Sequence, residues 1–163
     1  MKDQLKYASR LGFIFCVVTI FAILIGLPVI SSEIVGDLFG FDSPTRVGNV
    51  TGLMLLFGLM GFWASSLAVG QVKKQWLESV LLGLFTTFLY GILVSAFVYL
   101  LGTLDGADVE MRTYFVQLSR PNIQLLTLNK SPLNGSLLMF VIFLASGALG
   151  GFVAYLLDRY QTK

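Results

Sequence analysis

Residues 131–157 run for 27 positions without a charged side chain, and this run constrains the fold more than any other feature. A helix rises about 1.5 Å per residue and the hydrocarbon core of a bilayer is about 30 Å thick, so about 20 apolar residues suffice to cross it. A stretch of this length predicts a membrane-spanning helix. In its second half Ser146, Gly150 and Ala154 fall four apart, as do Gly147 and Gly151. That spacing gives one helical face a flat groove against which a neighbouring backbone can press.

Three more charge-free runs precede it, at 11–32, 47–72 and 79–104. Spans are therefore expected at about 11–30, 48–70, 79–102 and 135–157. The third carries the longest small stripe, with Gly83, Thr87, Gly91 and Ser95 at a strict spacing of four. Gly61/Ser65 and Ala64/Ala68 repeat the spacing in the second span, and Ala22/Gly26 in the first. Only 12% of residues are charged against 56% hydrophobic, where a soluble domain carries about 25% charged residues. The expected fold is all-α: an integral membrane bundle of four transmembrane helices forming one domain over residues 1–163, with the lipid bilayer as its solvent.

Lys2, Lys6 and Arg10 lead into the first run. The run exceeds the apolar core of a signal peptide, about 7–15 residues, and Val29-Ile30-Ser31 fits a small-residue cleavage site poorly, so a retained anchor is expected. Two amphipathic segments are expected in the outer loops. In the first, Ile34, Val35, Leu38 and Phe39 make one apolar side, with Ser32 to cap it and Gly40 to end it. In the second, Met111, Tyr114, Phe115 and Leu118 follow the i, i+3, i+4, i+7 pattern before Pro121 interrupts it. Trp76, beside Lys73 and Lys74, suits the water–lipid boundary.

Counting bases on alternate sides sets the orientation. With the amino terminus inside, Lys2, Lys6, Arg10, Lys73, Lys74, Arg159 and Lys163 are cytoplasmic, against Arg46, Arg112, Arg120 and Lys130 outside. That asymmetry predicts both termini in the cytoplasm.

Several functions are disfavoured by residue type. A formal charge of +2 without a basic cluster leaves no nucleic-acid footprint. With no histidine and the single Cys16, no zinc, haem or iron–sulfur ligand set can be assembled in the usual way, so neither metal nor cofactor is expected. Ion and proton pathways through spans are lined with titratable groups, and these spans carry none. Ser and Thr inside them are expected to bond back to a carbonyl one turn earlier or across to a neighbour. No nucleophile has a base placed beside it: Ser119 next to Arg120 and Ser131 next to Lys130 are neighbours without a motif, so the chain is not read as an enzyme. Asp105, Asp108 and Glu110 read as solvated loop charge, since a calcium site needs a denser set of oxygens.

A faint internal repeat pairs Ser43-Pro44 with Ser131-Pro132, and Gly61-Phe62-x-Ala64 with Gly151-Phe152-x-Ala154. Two hairpins so related would share an axis along the membrane normal.

Two stretches carry a resemblance: Glu33-Ile34-Val35-Gly36-Asp37-Leu38 before the second span, and Arg112-Thr113-Tyr114-Phe115-Val116-Gln117-Leu118-Ser119-Arg120-Pro121 followed by Leu125-Leu126-Thr127-Leu128. With the Gly-rich last span and Asp158-Arg159 after it, about half the chain resembles the membrane region that precedes the permease core in some bacterial branched-chain amino-acid ABC importers. The transport core itself is not among these residues. The resemblance thus implies a non-catalytic component of the importer, an accessory or leading domain in the bacterial inner membrane. Other membrane subunits, or a second copy, would then meet its glycine-rich faces. A structural scaffold of a respiratory or photosynthetic complex, or a small oligomeric channel, are the alternatives that the residues leave open.

Overall fold

A computed structural model describes residues 2–27, 30, 34, 37–38, 46–69, 75–105, 126–127 and 130–161, with the side chains of 2, 46–55, 104–105 and 161 excepted. The described residues form four helices and no strand: α1 (Lys2–Leu24), α2 (Arg46–Val69), α3 (Trp76–Asp105) and α4 (Pro132–Gln161). The protein is all-helical, and three helices are long and apolar enough to cross a membrane, over Asp3–Leu24, Trp76–Thr103 and Pro132–Tyr160. Where its side chains are described, α2 adds a further apolar stretch, Leu56–Val69.

The helix ends differ from the charge-free runs for local reasons. Absence of charge marks where lipid can be, whereas caps decide where a helix starts. Thus α1 begins at Lys2 and takes in the charged leader, with Asp3 in its first turn facing the positive end of the helix dipole. It stops at Leu24, because Gly26 has a φ of 79°, a left-handed conformation open to glycine. The Gly26 N–H donates to the Ile23 carbonyl at 3.1 Å. Gly26, expected to pair with Ala22 on a packing face, instead lies past the helix end. At α4 the Asn134 N–H donates to Ser131 Oγ at 3.4 Å, and Pro132 occupies the first helical position, where its missing N–H costs nothing.

The chain divides into two compact units, and every helix contributes to both. The first comprises Met1–Val17, Phe57–Leu93 and Phe140–Lys163, and the second Val18–Leu56 and Val94–Met139. In the first unit the helices alternate in direction. Phe15 of α1 meets Trp63 of α2 edge to face at 5.7 Å between ring centroids, while Ala8 shares a buried cluster with Ala68 and Val69 of α2, Leu82 of α3 and Ala154 of α4. Phe143 of α4 stacks edge to face on Phe57 and on Tyr90, at 5.6 and 4.5 Å. In the second unit a turn at Thr127 packs against α3 and α4. A Cβ at Gly135 or Gly102 would run into Thr127, and at Gly102 also into Pro132. Leu126 and Thr127 are buried, and the Lys130 N–H donates to the Thr127 carbonyl at 3.0 Å. The surface segment expected at 110–119 lies outside the described residues; of the one expected over 34–39, Ile34 and Leu38 are described, helical and exposed, while Val35 and Phe39 lie outside the described residues.

Candidate helix-packing site

In the first unit α4 uses its small residues in two directions. Gly147 and Gly151 meet α3: a Cβ at Gly147 would collide with the Thr87 side chain, and one at Gly151 would lie 2.5 Å from the Ser79 carbonyl oxygen and 3.2 Å from Val80 Cα. Ser146 and Gly150 meet α2: a Cβ at Gly150 would strike Ser65 Oγ and lie 2.5 Å from the Phe62 carbonyl oxygen, while Ser146 Oγ faces Gly61. One small stripe on the sequence is therefore two adjacent grooves in the fold, each filled by a different helix. Ala154 joins the buried cluster with Ala8 and Leu82.

The α3 stripe is graded. Gly83 lies against backbone, the Gly147 carbonyl and the Cα and N of Gly151. Thr87 fills the space left by Gly147, and Gly91 takes the rings of Phe140 and Phe143, with Phe143 Cβ at 3.0 Å from a Cβ built at 91. Ser95 belongs to the second unit. It is buried, and its hydroxyl has no hydrogen-bond partner among the described residues.

Four interior hydroxyls of the first unit are satisfied within their own helices. Thr86 Oγ1 donates to the Leu82 carbonyl at 2.9 Å and Thr87 Oγ1 to that of Gly83 at 3.0 Å. Ser65 donates to Phe62 and Ser146 to Phe143, both at 2.9 Å. With their protons used this way, these side chains present mainly carbon and oxygen lone pairs to their neighbours.

Gly12 is a packing residue that the sequence reading passed over. It is buried on α1, and a Cβ there would lie 2.8 Å from the Thr86 carbonyl oxygen of α3. Ala8, Gly12 and Cys16 fall four apart, the same signal used elsewhere, masked here because the run opens inside the charged leader. Gly61 and Gly151, paired in the apparent repeat, pack on α4 and α3 respectively, so the repeat is not expressed as equivalent contacts at these positions.

Gly83, Gly91, Gly147, Gly150 and Gly151 each lie against another helix of the same chain. Among the described residues no three His, Cys, Asp or Glu side chains gather to hold a metal. Comparison with known protein families, curated proteins and solved structures finds no match.

Proposed function

We propose that the protein is a four-spanning integral membrane component that acts by association through its outward, lipid-facing surface, with both termini cytoplasmic. The observation that carries this reading is the filled interior of the first unit. There Gly12, Gly83 and Gly151 each abut the backbone of another helix, and the interior hydroxyls of Thr86, Thr87, Ser65 and Ser146 are spent on their own helices. Such an interior holds the helices together, and what remains for a partner is the outer face. There Phe13, Leu59, Trp63 and Leu149 are each about 60% exposed (61, 63, 58 and 62%). Charge-free runs of 26 and 27 residues in the second and fourth segments support four crossings.

Within that class we assign the chain to an importer: an accessory or leading domain of a branched-chain amino-acid ABC permease in a bacterial inner membrane. Its support is the sequence resemblance of the outer segments. The test is purification of the tagged full-length protein in a mild detergent with identification of partners by mass. Co-purification of an ABC permease with its ATPase is expected. Stoichiometric recovery of respiratory or photosynthetic subunits, or of a homo-oligomer alone, would overturn the assignment.

A further inference from the structure

We propose that α1 carries a seat for an anionic phospholipid, with Lys6 and Arg10 holding the phosphate and Phe13, Ile14 and Val17 lying along an acyl chain. The inference rests on the membrane reading above and adds a ligand to it.

The argument begins with register. Gly12 packs against Thr86 and Leu89, and Ala8 shares its cluster with Leu82, so α1 and α3 run side by side with residue 10 level with about residue 84. On α3 the last charge before the apolar run is Glu78, and Leu81 just beyond it is 56% exposed. An exposed leucine there belongs in hydrocarbon. Six residues of helix separate Glu78 from the level of Arg10, about 9 Å of rise. The leader of α1 is thus set inward against its neighbour: Arg10 stands about 4.5 Å deeper than Leu81, and Lys6 one turn shallower, level with about residue 80.

Both side chains are exposed, one turn apart on one face. That face continues into Phe13, Ile14 and Val17, each more than half exposed. Neither cation has a carboxylate partner among the described residues; the one acid of α1, Asp3, lies one turn before Lys6 and two turns before Arg10. A cation at the depth of Arg10 is costly without an anion, and Lys6, one turn nearer the surface, adds a second positive charge to the same face. The anion that arrives attached to apolar chains is a lipid phosphate, and on the cytoplasmic leaflet anionic lipids draw such cations. A phosphate bridging Lys6 and Arg10 directs its own acyl chain along the apolar continuation of the same face.

The test is native mass spectrometry of the full-length protein in dodecyl maltoside, titrated with phosphatidylglycerol or with phosphatidylcholine of the same chains. The parent is expected to retain phosphatidylglycerol in preference. The double variant Lys6→Gln/Arg10→Gln should lose about thirtyfold in affinity, about fivefold for each surface cation. The exchanged pair Lys6→Arg/Arg10→Lys should bind like the parent, and so should Lys130→Gln in the second unit. Helical circular dichroism unchanged in the double variant shows that folding is intact, as exposure of both side chains leads us to expect. Equal retention by the double variant, equal binding of phosphatidylcholine, or displacement by inorganic phosphate would each overturn the seat. Alkaline carbonate extraction separates this failure from the other: release from membranes sinks the membrane reading itself, whereas retention without lipid preference sinks only the seat.

Discussion

Replacing Gly151 by alanine adds one methyl group at a close crossing of α3 and α4. The added Cβ would lie 2.5 Å from the Ser79 carbonyl oxygen, 3.1 Å from its carbon and 3.2 Å from Val80 Cα. Ordinary carbon–oxygen contact is about 3.3 Å or more, and all three atoms are backbone, so no side chain can rotate away. The helices must separate locally by about 0.8 Å. A gap of 0.5–1 Å forfeits roughly a quarter to a half of each dispersion contact across it, and overpacking of this kind typically costs about 1–3 kcal/mol. Gly61→Ala is the internal comparison: its methyl meets chiefly Ser146 Oγ, the end of a small side chain, with the next atoms at 3.4 and 3.7 Å. Gly58→Ala is the neutral one, with nothing within 4 Å and helix propensity gained. Unfolding of the purified protein in mixed micelles, followed by circular dichroism, should rank Gly58→Ala at or above the parent. Gly61→Ala should fall slightly below and Gly151→Ala lower by about 2 kcal/mol. Equal stability of Gly151→Ala and Gly58→Ala would refute the reasoning, because the crossing would then be slack.

Leu149→Ile should be close to neutral in the same assay, since Leu149 is exposed beside the two grooves and its volume is conserved. Ser95→Ala should leave stability unchanged or raise it by up to about 1 kcal/mol, because the buried hydroxyl has no partner among the described residues to lose. Cysteines introduced at Gln161 and Asp108 should differ in labelling by an impermeant thiol reagent on intact cells; labelling of 161 rather than 108 would invert the topology. Spin labels along 110–119 should alternate between oxygen and aqueous-quencher access with helical period, and a flat profile would refute the surface helix there.

Helix number was legible in the sequence because long charge-free runs leave a chain few alternatives in a bilayer. Helix ends were less so. The start of α1 at Lys2 depends on helix propensity and on Asp3, and its stop on the left-handed Gly26, neither of which depends on hydropathy. The small stripes on the third and fourth segments identified residues that are buried in contact with other helices, Gly83, Gly147, Gly150 and Gly151 among them. Spacing alone could not say which helix fills which groove, since residues at i and i+1 differ by about 100° around the axis and so face different neighbours. Hence Ser146/Gly150 and Gly147/Gly151, adjacent on the chain, serve α2 and α3 separately. Nor could spacing tell a groove for a foreign helix from one closed within the chain, because both demand the same small side chains.

That last ambiguity bears on the oligomeric-channel alternative. A pore through the first unit would require its helices to part along their length. The contacts at Gly12 on Thr86, Gly83 on Gly147, Gly151 on Ser79 and Gly150 on Phe62 are backbone approaches that hold only at close range. In lipid no hydrophobic force restores helices once parted, since acyl chains solvate them as well as leucine does. Opening by even one ångström would lose a large share of the attraction at every such crossing together. A conducting path would therefore have to form between copies, along outer faces such as those bearing Phe13, Leu59 and Leu149, whose exposed side chains are apolar. Apolar walls of that kind suit lipid or a partner helix and offer a hydrated solute no hydrogen bonds in exchange for its water.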